Sequence, residues 1–125
     1  MGKESKFSRE VVDYLKSRGA LVNVNTANIF EVVGRSDVEA CYDGHYIALE
    51  LKTGSYQADP LQIRYLKKVR DAGGYGLLLR DKLDDLIELL NYLDNWDNVD
   101  YNEPDLPDIT DDKVEVWYDW RMERY

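Results

Sequence analysis

The sequence predicts an α/β domain with an αβββαβ core: a mixed central sheet flanked by helices, followed by an acidic helix and a terminal strand. Three observations carry that expectation. Apolar residues recur at helical spacing near the N-terminus and again after Pro60; alternating strand-like runs flank an Asp43-Gly44 turn; and a short apolar run follows Gly73-Gly74. At 125 residues the chain has the length of one domain, able to bury a core without disulfides or a structural metal.

The first helix is expected to be capped by Ser5 or Ser8, to carry Phe7, Val11, Val12 and Leu15 inward, and to end at Gly19. Leu21 to Asn25 alternates as a strand does. Thr26-Ala27-Asn28 then turns the chain into Ile29 to Val33, and Gly34 breaks the pattern. Val38 to Tyr42 and His45 to Lys52 flank Asp43-Gly44, a pair suited to a two-residue type I′ turn because both central positions need positive φ. That turn sets the register. Tyr42 opposes His45, Ala40 opposes Ile47, Val38 opposes Leu49 and Asp37 opposes Glu50. The apolar residues then share one face, whereas a one-residue slip would scatter them.

Asp59 is a good N-cap and Pro60 a good first residue for a second helix. Its residues Leu61, Tyr65, Leu66 and Val69 are expected inward, and Arg64, Lys67, Lys68 and Arg70 largely outward. Tyr75 to Leu79 reads as a strand buried on both faces. Beyond Lys82 a helix is expected with Leu83, Ile87, Leu90 and Leu93 on one stripe, then an exposed loop over 98–112 and a strand over 114–120. We divide the chain into a core, 1–80, and an acidic helix-loop-strand extension, 81–125, packed on the core or on a dimer partner.

Charge divides at the same place. Residues 1–80 hold 12 Lys and Arg against 10 Asp and Glu, and residues 81–125 hold 4 against 15. The first part can therefore meet a polyanion, although the whole chain carries −9. The single Cys41 excludes an intramolecular disulfide, and no apolar run reaches the roughly 18 residues of a membrane span. MGKESKFSRE lacks the apolar stretch of a signal peptide. A cytoplasmic setting is expected.

The hairpin carries the chemistry. Directly opposed residues on antiparallel strands have Cβ atoms roughly 4.5–5.5 Å apart, where like charges destabilise the sheet. Asp37 and Glu50 at that separation either share a proton or bind a divalent cation. Carboxylate oxygens suit Mg²⁺ or Mn²⁺, and Mg²⁺ is commonly held by one or two carboxylates. Lys52 projects to the same face as Glu50, placed to orient or deprotonate a water or to offset charge on a phosphoryl oxygen. These parts describe metal-assisted hydrolysis of a phosphate ester. The bland alternative is a surface hairpin in which Glu50 and Lys52 form ladder pairs and Asp37 caps a turn.

Gly34-Arg35-Ser36-Asp37, then Glu50-Leu51-Lys52 after the Asp-Gly hairpin, then Gln62 early in the next helix, closely resemble the PD-(D/E)xK nuclease superfamily, specifically its small stand-alone VRR-NUC branch of phages and bacteria. The resemblance spans roughly residues 5–80, with Ser36 standing where the motif has proline. It implies a restriction-endonuclease-like fold and a metal-dependent endonuclease acting on DNA, with branched DNA or Holliday junctions among its substrates. It also implies a homodimer and a bacterial or phage origin. On this resemblance Asp37, Glu50, the Leu51 carbonyl and Glu10 hold Mg²⁺ or Mn²⁺, Lys52 is the catalytic lysine, and Gln62 faces the site.

Two of these residues keep a second reading. Asp59 and Gln62 also form a capping-box pattern, and Glu10 suits a solvated helix surface. Arg35, Ser36, Arg64, Lys67 and Lys68 are candidates for DNA contact. His45, at the hairpin tip, reads as a surface histidine, and Cys41 as packed. A reading of another class makes the acidic region after Asp81 a DNA mimic that occupies a partner's basic groove.

Overall fold

The computed structural model describes residues 3–25, 36–55, 57–96 and 104. Its elements run α1 (Lys3–Ser17), β1 (Leu21–Val24), β2 (Val38–Tyr42), β3 (His45–Lys52), α2 (Pro60–Asp71), β4 (Tyr75–Arg80) and α3 (Asp84–Asp94). The expected αβββαβ order of elements is present. Arg35, Ile29 to Val33 and the expected C-terminal loop and strand lie outside the described residues.

The sheet has the order β1-β2-β3-β4, antiparallel through β3 and parallel between β3 and β4. Asp43 and Gly44 take φ of 49° and 82°, the left-handed conformations of the expected turn. The register follows: Tyr42 pairs with His45, Ala40 with Ile47 and Val38 with Leu49. Returning parallel to β3 requires a crossover, and α2 supplies it.

Strand alternation sorts the side chains. Val38, Ala40, Ile47, Leu49, Leu77 and Leu79 pack against Phe7, Val11 and Leu15 of α1 and the leucines of α3 in one large core. Ala48 and Leu78, on the opposite face, meet Leu66 and Val69 of α2. Two helices thus cover one face of the sheet and one helix covers part of the other. Gly76 lets α2 come close: a Cβ there would lie 2.5 Å from the Leu66 carbonyl oxygen.

Three local expectations are corrected. α1 begins at Lys3, so neither Ser5 nor Ser8 is its cap; Lys3, Glu4 and Lys6 are good helix formers and extend it upstream. α2 buries Ile63, Leu66 and Val69, leaving Leu61 and Tyr65 half-buried. α3 buries Leu86, Leu89, Leu90 and Leu93, with Leu83 and Ile87 half-buried. Apolar residues occupy more than one face of these helices, so spacing alone leaves the phase open.

α3 is thus part of the core. Arg18, just after α1, reaches Tyr14, Asn91 and Asp94, and Tyr42 donates to Asp94, so the end of α1, β2 and α3 are joined at the hairpin end of the sheet. His45 stands beside them, edge-on to Tyr75 and tilted against Trp96. Cys41 is exposed rather than packed, because its face of β2 lies beyond the reach of α2. No helix among the described residues is long and apolar enough to cross a membrane.

Candidate metal centre

The hairpin ladder stops at Val38 and Leu49, one pair short of the expected Asp37–Glu50 rung. Local hydrogen bonding explains the stop. A further rung would offer the Leu51 N–H to the Ser36 carbonyl, but the Leu51 N–H donates instead to Asp37 Oδ2 at 2.9 Å. The Ser36 carbonyl accepts from Asn25 Nδ2 at 2.8 Å, and the Asp37 carbonyl accepts from the Asn25 N–H at 2.9 Å. Asn25 therefore pins the chain at the mouth of the hairpin. Asp37 remains beside Glu50, held by a side-chain bond rather than a ladder pair.

A β-residue sends its N–H and C=O to the same side of the strand. The Lys52 carbonyl turns toward β4, where it accepts from the Asp81 N–H at 3.1 Å. Leu51, one residue earlier, sends both groups the other way. Its N–H goes to Asp37, so its carbonyl opens on the Asp37 side. This orientation suits the ligand role that the resemblance implies for that carbonyl.

Glu50 is the anomaly of the molecule. Its side chain is 0% exposed, and neither carboxyl oxygen has a hydrogen-bond partner among the described residues. Lys52 Nζ stands 3.5 Å from Oε1, an ion pair too long to count as a good hydrogen bond. Burial, reinforced by the negative charge of Asp37 and opposed by Lys52, pushes the Glu50 carboxyl up to about 9. At neutral pH it is held as the acid. Buried polar atoms are nearly always paired, so two orphaned oxygens on one carboxyl call for a missing partner.

A divalent cation is such a partner. It would take the charge of both carboxylates, and it needs oxygen ligands of the kind that Glu50, Asp37 and the Leu51 carbonyl offer. The residues present fit Mg²⁺ or Mn²⁺. Among the described residues no three of His, Cys, Asp and Glu converge, so exposed Glu10 does not join the pair in this arrangement.

The backbone after Lys52 is clamped. The Gly54 N–H donates to both Asp81 carboxylate oxygens at 3.1 Å, and Arg80 Nη1 donates to the Gly54 carbonyl at 2.8 Å. Asp81 takes φ of 62°, a left-handed conformation uncommon outside glycine. Lys52 itself is 16% exposed at its side chain and is the register partner of Arg80.

Gln62 completes a capping box. Its Oε1 accepts from the Asp59 N–H at 3.0 Å while Asp59 Oδ1 accepts from the Leu61 N–H at 2.8 Å. The cap is thus formed, and Gln62 makes no hydrogen bond to Glu50. Ser36 is buried, and its hydroxyl has no hydrogen-bond partner among the described residues. Arg64 and Lys67 are half-buried on α2, and Lys68 is exposed. Asn25, Arg80 and Asp81 escaped the sequence reading. Asn25 ends a strand run, where asparagine often bonds backbone groups, and that was the one signal available.

No family model and no curated protein matches the sequence. Solved structures do. A VRR_NUC domain superposes with a TM-score of 0.58 at 18% identity, across 74% of this chain and 98% of that one. Archaeoglobus fulgidus Hjc, a Holliday junction resolvase from an archaeal hyperthermophile, gives a TM-score of 0.49 at 16% identity. That match takes in 61% of this chain and 66% of the resolvase, slightly under two thirds of its length. The chain shares its fold with that VRR_NUC domain.

Proposed function

We propose that this chain is a divalent-metal-dependent deoxyribonuclease that hydrolyses DNA phosphodiester bonds, with branched DNA such as a Holliday junction as its substrate class. One observation carries the reading: Glu50 is wholly buried, neither carboxyl oxygen has a hydrogen-bond partner among the described residues, and it stands beside Asp37 and 3.5 Å from Lys52. A structural hairpin has no use for that arrangement. The likeness to a VRR_NUC domain supports it at the level of fold.

Asp37, Glu50 and the Leu51 carbonyl would hold Mg²⁺ or Mn²⁺. When bound, the ion polarises a phosphoryl oxygen and makes water a better nucleophile. Asp37 keeps its carboxylate in place through the Leu51 N–H, and Glu50 gives up its proton to serve as a ligand. Lys52, on the same strand face, offers a positive charge to the phosphoryl oxygen on which negative charge develops, or orients the attacking water. Arg64, Lys67 and Lys68 supply contacts to the phosphate backbone, which position DNA without reading sequence. Arg35 and Ser36 flank Asp37 in the chain and are proposed to sit near the same backbone. Glu10 and Gln62 are proposed to reach the site once DNA is bound. A homodimer would set two such sites against two strands.

The test is incubation of the purified chain with labelled junction, flap, duplex and single-stranded DNA in Mg²⁺, Mn²⁺ or EDTA, beside Lys52→Ala. Cleavage that needs metal and is lost in the variant is expected. No cleavage of any substrate, or equal cleavage by Lys52→Ala, refutes the reading.

A further inference from the structure

Side chains alternate along β3, so Tyr46, Ala48, Glu50 and Lys52 all face the α2 side of the sheet. Ala48 is covered by Leu66 and Val69. Tyr46, at the hairpin end of the row, is 39% exposed, and its hydroxyl lies 2.9 Å from that of Tyr65 on α2. Tyr46 and Tyr65, with Lys68, Val69, Ala72 and Gly74, line an open cavity of about 400 Å³. Glycine is required at its back: a Cβ at Gly74 would lie 2.9 Å from Val69 Cγ1 and 3.1 Å from the Tyr46 carbonyl oxygen.

The cavity pairs aromatic rings with positive charge. Bases stack on aromatic side chains irrespective of sequence, and lysine or arginine beside the rings tracks the backbone. Lys68 is at the rim here, and Arg64 and Lys67 lie within one turn of it on α2. Glu39 of β2 faces Tyr46, and its negative charge bears on the Tyr46 hydroxyl. Tyr46 and Glu50 are four residues apart on one strand, about 13 Å at roughly 3.3 Å per residue. A DNA strand rising about 3.4 Å per nucleotide covers that distance in roughly four steps.

We propose that the Tyr46–Tyr65 cavity binds an unpaired nucleobase of the strand whose backbone runs along α2 toward Asp37, Glu50 and Lys52. The preferred substrate is then DNA with an unstacked nucleotide a few steps from the cleaved bond. This rests on the nuclease reading above and narrows it.

The test uses the full chain in EDTA, where no cleavage occurs. Fluorescence anisotropy compares a duplex carrying one unpaired nucleotide with the fully paired duplex. Tighter binding of the first is expected, and Tyr65→Ala should weaken it about tenfold or more while leaving the paired duplex unchanged. Tyr65→Phe, which keeps the ring, should bind as the wild type does. A 5-iododeoxyuridine at the unpaired position should cross-link under ultraviolet light to Tyr46 or Tyr65 of the wild-type chain, located by mass spectrometry. Equal affinity for the two duplexes, equal loss on both in Tyr65→Ala, weakened binding by Tyr65→Phe, or a cross-link elsewhere overturns the proposal. So does a dimer that buries Tyr65 and excludes DNA. The cross-link needs no variant, so it decides the matter even if Tyr65→Ala fails to fold. Failure of the nuclease reading is a separate result: no DNA is cleaved in Mg²⁺, wherever the cross-link falls.

Discussion

Binding of Mg²⁺ at this site should release close to one proton per ion at neutral pH. The Glu50 carboxyl is pushed up to about 9 by burial and by Asp37, so at pH 7 it carries a proton that the cation must displace. Ionising it about two pH units below its midpoint costs about 3 kcal/mol. Affinity at pH 7 is therefore expected to lie about a hundredfold below its plateau above pH 9, rising about tenfold per pH unit between them. Isothermal titration calorimetry in buffers of different ionisation enthalpy counts the proton directly. The slope of observed enthalpy against buffer ionisation enthalpy should be near minus one at pH 7, because the buffer takes up the released proton, and approach zero above pH 9. Glu50→Gln should lose the binding and the proton together. Intact binding with zero slope at pH 7 would mean that Glu50 is already ionised, and would refute the reasoning. The same proton shapes the stability of the metal-free chain. The folded pKa lies above the ordinary 4.5, so the native state binds more protons than the unfolded one between them. Stability from this group is full below about pH 4.5 and is lost as pH rises toward 9.

Asp37→Asn and Asp37→Ala should both lose Mg²⁺ affinity but differ in urea denaturation. Asparagine keeps an acceptor for the Leu51 N–H, whereas alanine leaves that donor unpaired at a cost of about 1–3 kcal/mol. Gln62→Ala should cost about 1 kcal/mol through the α2 cap, leave Mg²⁺ affinity unchanged and lower kcat; an unchanged kcat would confine Gln62 to the cap. Gly76→Ala should destabilise by about 2 kcal/mol or more in thermal or urea melts, because its Cβ would meet the Leu66 backbone. Leu89→Ala should cost about 2–5 kcal/mol, and Ile87→Ala clearly less. The reverse order would restore the stripe expected from spacing.

What was legible in the sequence was whatever a short-range rule dictates. Asp43-Gly44 determined the hairpin, and the hairpin determined that Val38, Ala40, Ile47 and Leu49 share a face. From the same count came the nearness of Asp37, Glu50 and Lys52. The last rung was not legible, because it depends on where the Asp37 carboxylate and the Asn25 amide, far apart in the sequence, find partners. Nor was the phase of α3, whose leucines allow more than one inward face until α1 and the sheet select one. That α3 enters the same core as Phe7, Val11 and Leu15 is likewise a tertiary fact that a tally of its acids conceals. Orphaning of the Glu50 oxygens needed the whole fold, since the side chain is buried only in the assembled domain.

The parallel pairing of β3 with β4 gives the site a history. The hairpin closes over a two-residue turn, but Glu50 meets its β4 neighbour Leu78 only after α2 has spanned the crossover. Local pairings form fast and non-local ones late, because the entropy of closing the longer loop must be met first. On the nascent hairpin Glu50 is open to water and ionised at neutral pH. It becomes an acid only when the rest of the fold closes over it. The final docking step therefore consumes a proton from solvent, and a divalent cation present at that moment competes with the proton for the same carboxylate. Order of assembly and metal loading are thus coupled through one side chain.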